Sequence, residues 1–158
     1  MPAPTARSSV LRRRLAIAAL CALPWAARAQ TQSPQTFLQS IYDPYLKAGF
    51  KGHPYWQVDR FFVPALARAI DADMREAKRR VEVPKLDGDP FLDAQEWDIE
   101  NLAISVKADG PKATGEVIFD NFGKRTQVAL DLVQTPAGWR IADIKSPSGL
   151  LSTLYKEK

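Results

Sequence analysis

The chain has 158 residues, 46% of them apolar, which is enough for one modest hydrophobic core and predicts a single domain. Its formal charge of +4 suits nucleic acid or anionic lipid only until the charges are placed: Arg7, Arg12, Arg13, Arg14 and Arg28 precede every acidic residue, and beyond residue 29 seventeen basic residues face eighteen acidic ones. A near-neutral domain lacks the basic excess that neutralises phosphates, so no nucleic-acid partner is expected, and with Cys21 as the lone cysteine disulfides are excluded from it.

The amino-terminal basic stretch leads into an apolar run from Leu15 to Leu23, then a helix-breaking Pro24 and the small residues of Ala27-Arg28-Ala29. This is the pattern of a signal peptide over residues 1–29, cleaved near Ala29. Nine apolar residues fall short of a bilayer core about 30 Å thick, so no stable membrane span is expected after cleavage. Arg12-Arg13 resembles the start of a twin-arginine signal, and both that route and the ordinary secretory one remain open. Leu20 stands before Cys21 where a lipidation signal places a small residue, which argues for an unlipidated form. A periplasmic or secreted location follows, with residues 30–158 as one α+β domain.

In that domain Ser33-Pro34 reads as an N-cap and first helical turn, and Phe37, Leu38, Ile41, Tyr42 and Tyr45 recur at helical spacing. The spacing predicts a helix from Pro34 to Ala48, kinked or ended early by Pro44. Gly49–Tyr55 reads as a loop. A second helical region runs from Val58 to Arg80 with Pro64 at a break, its last turn carrying Lys78, Arg79 and Arg80 as a solvated cap. From Val81 to Glu100, Pro84, Gly88 and Pro90 interrupt any long element. The period then changes from 3.6 to 2. Leu102–Val106, Thr114–Phe122, Val128–Leu132 and Trp139–Ile144 read as four strands, joined at Asp109-Gly110-Pro111, Gly123-Lys124 and Pro136-Ala137-Gly138. Helices at one end and an antiparallel meander at the other predict helices packed on one face of a curved four-stranded sheet. Leu150, Leu151, Leu154 and Tyr155 have helical spacing and are expected to cover a sheet edge.

The densest polar cluster, Asp87 to Asp98, holds Asp87, Asp89, Asp93, Glu96 and Asp98. A calcium loop is disfavoured because glycine follows the first Asp directly and Phe91-Leu92 occupies the middle, where ligands or tight turning are needed. The structural reading has Asp89-Pro90 capping a short helical turn, Phe91, Leu92 and Trp97 anchoring the loop to the core, and Asp98 satisfying backbone donors where the first strand begins. On that reading loss of Trp97 costs about 3–5 kcal/mol. His53 is the only histidine, which excludes a histidine-rich zinc site and leaves a surface loop residue as the plain expectation. Tyr42, Tyr45, Tyr55 and Trp56 form a group able to line an apolar ligand pocket, with core packing as the competing explanation. No phosphate loop, nucleophile elbow or metal motif is present, so no cofactor or metal is expected and no catalytic residue is assigned.

Asp89-Pro-Phe-Leu-Asp93-Ala-Gln-Glu96-Trp97-Asp98-Ile99, with Asn121-Phe-Gly, Val128-Ala-Leu-Asp131-Leu-Val133 and Gly138-Trp-Arg-Ile-Ala-Asp143-Ile downstream, resembles the exported bacterial family called domain of unknown function 3828. The resemblance covers most of residues 34–155. It implies a cone-shaped fold similar to nuclear transport factor 2 and brings no catalytic residues. That fold hosts isomerases and pure binding modules alike. The leading expectation is a noncatalytic binding or accessory module for an envelope protein or a small apolar ligand, acting through the concave sheet face or the acidic loop. Its binding candidates are Tyr42, Tyr45, Trp56, Asp89, Asp93, Gln95, Glu96, Trp97 and Asp98. The rivals are a small enzyme using Asp98 or Asp120 as a buried general base, and an immunity-type inhibitor that plugs a toxin. A buried Asp in an open pocket favours the enzyme; a filled cone with an ordered, exposed acidic loop favours protein recognition.

Overall fold

The computed structural model describes residues 32–156, and the signal peptide expected over residues 1–29, Cys21 included, lies outside the described residues. Ser33 Oγ accepts the Thr36 N–H at 3.1 Å and Pro34 fills the first turn, so helix α1 (Pro34–Tyr42) begins where its cap chemistry places it. It ends six residues before the expected Ala48, because Pro44 has no N–H to continue the ladder and its ring collides with the preceding turn. A 3₁₀ turn, Asp43–Leu46, follows instead.

The second helical region is two helices, α2 (Val58–Phe61) and α3 (Pro64–Arg80), with Phe62 and Val63 extended between them. Pro64 sits in the first turn of α3. The break docks the helices on the sheet: the Val63 N–H donates to the Ile141 carbonyl at 2.9 Å, and Phe62 pairs with Ile141 in a parallel bridge. At the other end of α3, Arg79 and Arg80 pair with Glu76 on the exposed surface, as a solvated cap should.

The strands are β1 (Ile99–Asp109), β2 (Lys112–Asn121), β3 (Lys124–Thr135), β4 (Gly138–Ser146) and β5 (Gly149–Leu150). They form an antiparallel meander in the order β1-β2-β3-β4-β5. The four expected strands are present and begin earlier than the alternation suggested, and the two-residue β5 adds a fifth. Two irregularities break the period of 2. One lies between Glu100 and Ala103, where Asn101 takes φ +53°; the other, opposite Asp131 and Leu132, brings Ile141 and Ile144, three apart, to the same buried side.

The inward face of the sheet is filled by Val117, Phe119, Val128, Leu130, Leu132 and Ile141, all at most 1% exposed, and α1 lies over β1 and β2. The tail is a strand and a 3₁₀ turn (Leu151–Tyr155) rather than a helix: Asp143 accepts the Ser152 N–H at 3.0 Å and its hydroxyl at 2.6 Å, and only Leu151 of the four apolar tail residues is buried. It covers the β4 edge as expected. Among the described residues no helix is long and apolar enough to cross a membrane.

Candidate functional site

The Asp87–Asp98 loop owes its shape to backbone bonds that close around Asp89. The Asp89 N–H donates to the Ala94 carbonyl at 2.8 Å, the Asp93 N–H to the Asp89 carbonyl at 2.9 Å, and Asp89 Oδ1 accepts the Phe91 N–H at 2.9 Å. Asp89 thus caps the turn as expected, but the residues after it form a hydrogen-bonded turn and no helix. Phe91 and Leu92, 3% and 1% exposed, sink into the core from its tip. At the far end Asn121 clamps the chain, its Oδ1 accepting the Asp98 N–H at 2.9 Å and its Nδ2 donating to the Glu96 carbonyl at 3.2 Å. Asp98 therefore meets the sheet through its backbone, and its side chain is exposed.

A pocket of about 370 Å³ opens between this loop and the helices. Val58, Phe61 and Phe62 wall one side, Ile70 and Met74 of α3 another, and Lys51–Tyr55 with Leu86–Phe91, Gln95 and Trp97 complete it. None of the lining residues belongs to a strand. The helix-covered face of the sheet, expected to be a concave binding surface, is instead the filled core described above.

Asp89 is the polar centre of this site. Its Oδ2 accepts the Tyr45 hydroxyl at 2.5 Å, and burial pushes its carboxyl above the ordinary range, against the Tyr45 and Phe91 hydrogen bonds and the nearby His53, which lower it. Burial, with Asp89 beside them, raises the Tyr45 and Tyr42 hydroxyls as well. The folded protein thus holds the Asp89 proton more tightly than the unfolded chain does. The stability this contributes is complete below the ordinary carboxylate pKa of about 3.9 and is lost as pH rises through the folded value. In Asp89→Asn, Oδ1 keeps the Phe91 N–H and Nδ2 donates to the Tyr45 oxygen, so the fold should survive. Urea unfolding at several pH values is expected to show the wild type losing stability relative to this variant as pH rises from about 4. A difference that does not vary with pH would remove the raised carboxyl from the account.

The expected site residues separate into three groups. Asp89, Gln95 and Trp97 line the pocket, with Trp97 only partly buried and its ring edge-on to Tyr45 at 5.5 Å. Glu96 and Asp98 are exposed, while Asp93 is committed to accepting the Ser148 N–H and hydroxyl, both at 3.0 Å. Tyr42 and Tyr45 are core residues rather than pocket lining, Tyr42 donating to the Phe91 carbonyl at 3.0 Å, and Trp56 projects outward, 67% exposed. Only Tyr55 of that aromatic group reaches the pocket. Asp120, a candidate base, receives the Asn101 amide at 2.7 Å away from the pocket.

Two residues were missed. His53 is no surface residue: its Nε2 bonds to the Ile41 carbonyl at 2.8 Å and its ring packs edge-on to Tyr45, Phe50, Phe61 and Phe91. Phe122, read as the end of a strand, forms the β2–β3 turn with Gly123; both have positive φ, +49° and +74°, and Phe122 is 64% exposed. Its N–H donates to the Asp98 carbonyl at 3.1 Å, which sets an exposed aromatic ring beside the Glu96–Asp98 end of the loop. The Asn-Phe-Gly sequence was the signal, since a two-residue hairpin turn of this type needs left-handed backbone at both positions.

No protein-family model matches the chain, and no curated protein matches it. Among solved structures, a chain of the type VI native effector–immunity complex Tae3–Tai3 from Ralstonia pickettii is similar, with 18% identity and a TM-score of 0.53 over 73% of this chain and 96% of that one. The likeness is one of fold. A phospholipid-binding protein from Ralstonia solanacearum, solved with a phospholipid, is 14% identical with a TM-score of 0.41 over 77% of this chain and 82% of that one, too distant to bear on the site.

Proposed function

We propose that this chain is a noncatalytic binding module of the cell envelope that recognises another protein through the outer side of the Asp87–Asp98 loop and the adjoining β2–β3 turn. The observation that carries this reading is Phe122. A non-glycine residue in left-handed backbone is strained, and a large exposed aromatic held there, beside the exposed Glu96 and Asp98, contributes nothing to the core. Exposed aromatics are the anchors of protein interfaces. An immunity-type inhibitor is the favoured form of this role, since the shared fold occurs in an effector–immunity complex. The enzyme reading has less support: Asp98 is exposed, Asp120 is engaged by Asn101, and Asp89 is held by Tyr45 and Phe91. Export through residues 1–29, kinship with domain of unknown function 3828 and the cone-like description belong to the same proposal.

Capture from a periplasmic extract with native mass spectrometry tests it. Glu96→Ala/Asp98→Ala is expected to weaken capture at least tenfold, as loss of interface hot spots does. Phe122→Gly should weaken it similarly while leaving stability unchanged or higher by up to about 1 kcal/mol, because glycine relieves the left-handed strain. Undiminished capture by both variants would remove this surface as the recognition site. Asp93→Ala is a poorer probe, since it also releases Ser148.

A further inference from the structure

We propose that the pocket behind the loop receives a guanidinium or ammonium group on an apolar stem, and that its occupant is a basic side chain of the protein partner. This deepens the binding role proposed above and rests on it. The loop serves both surfaces: Glu96 and Asp98 point outward, while Gln95 and Trp97, alternating with them, line the pocket.

The chemistry of the lining selects the charge. Tyr55 and Trp97 present aromatic surface, and Asp87 and Asp89 are its carboxylates. Aromatic faces attract cations, and carboxylates bind guanidinium or ammonium by charge-assisted hydrogen bonds. Asp89 lines the pocket and keeps acceptor capacity for this, because Tyr45, the Phe91 N–H and the Leu92 N–H draw on its acceptor sites and a carboxylate has about four. Gly52 keeps the approach open: at φ +86° it has no side chain, and a Cβ there would lie 3.1 Å from the Trp97 ring and 3.5 Å from Asp89 Oδ2.

Of the cations already present, Arg60 lies over the Phe61 ring, 5.9 Å from its centroid, but it donates to Gln57 and forms no ion pair with Asp87 or Asp89 among the described residues. Lys51 is exposed at the rim and forms no ion pair with either carboxylate among the described residues. The His53 ring is fixed in the aromatic cluster by its bond to Ile41. A neutral ligand would leave the shielded Asp89 carboxylate without a counter-charge, and an anion would meet two carboxylates. A pocket of about 370 Å³ also falls within the size range of specific ligand sites.

The test titrates the purified protein with n-butylguanidinium and with neutral, isosteric n-butylurea, following tryptophan fluorescence and the backbone amide signals of Gly52 and Gly88. Saturable binding of the guanidinium, at least tenfold tighter than the urea, is expected, and Asp89→Asn should abolish the preference. Equal binding of the two, or saturable binding of neither, would overturn the proposal; this comparison needs only the wild type, so it stands even if the variant fails to fold. Saturating n-butylguanidinium should also reduce capture of the partner at least tenfold. If the cation binds but capture is indifferent to it, or no protein is captured, the pocket serves a free amine and the partner's side chain is ruled out as occupant. If the partner is captured through Phe122 and Glu96 while the cation fails to bind, this inference falls and the protein-binding reading stands.

Discussion

Leu38→Ala is expected to destabilise the protein by about 2–5 kcal/mol, and Gly115→Ala by about 1–3 kcal/mol from the opposite side of the same contact. Leu38 is fully buried on α1, and an ideal Cβ built on Gly115 of β2 would lie 2.2 Å from Leu38 Cδ1, a separation that real Cβ atoms do not tolerate. With nine residues, α1 is too short to persist without tertiary packing, so its place on the sheet depends on a few such seats. Leu38 is fully buried in a close-packed core, so an alanine at 115 must either shift the leucine side chain among its neighbours or push the helix away. In the double variant the new methyl occupies part of the cavity left by Leu38. Its cost should therefore be below the sum of the single costs by about 1 kcal/mol or more, within the range known for residues in direct contact. Urea unfolding of the four proteins measures this; costs that add to within about 0.5 kcal/mol would show that the glycine is required for another reason.

Elements governed by local chemistry were legible in the sequence. Ser33-Pro34 announced the start of α1, Pro44 and Pro64 its end and the later break, and alternation announced the strands of the meander. What escaped depended on residues far apart in the chain. The two bulges carry Asn101 and Ala142, neither a glycine, and strict alternation along β4 would put Ile144 on the side opposite Ile141, where the bulge brings both to the buried side. Local sequence singles out Asp89 only as a turn cap, and nothing near it in the chain shows that it is brought against the Tyr45 hydroxyl, 44 positions earlier. Tyr42 and Trp56 were equally plausible pocket residues by type; α1 buries the first, and a 3₁₀ turn, Tyr55–Gln57, presents the second to solvent. Gly115 carried a signal that alternation hides, since glycine inside a strand often marks a close approach of another element.

Phe91→Ala is expected to cost about 3–5 kcal/mol, and Trp97→Ala, expected from sequence to be the damaging change, only about 1–3 kcal/mol. Trp97 lies at the pocket rim and is partly buried, so its truncation exposes a surface that water can already reach. Phe91 is the residue on which the loop and helices converge. Its ring stacks on Phe62 at 5.8 Å and meets Tyr42, Phe61 and His53 edge-on at 6.2, 5.5 and 5.5 Å. Its N–H and carbonyl are both engaged, by Asp89 and the Tyr42 hydroxyl. Removing the ring deletes the contacts that keep those polar groups in place, so Asp89 should lose its shielding together with its orientation. Phe91→Ala is therefore expected to flatten the pH-dependent stability difference assigned to Asp89, and Trp97→Ala to preserve it. Urea unfolding across pH for both variants decides the point. A larger loss in Trp97→Ala than in Phe91→Ala would place the loop's anchor at the rim and leave the orientation of Asp89 without its physical cause.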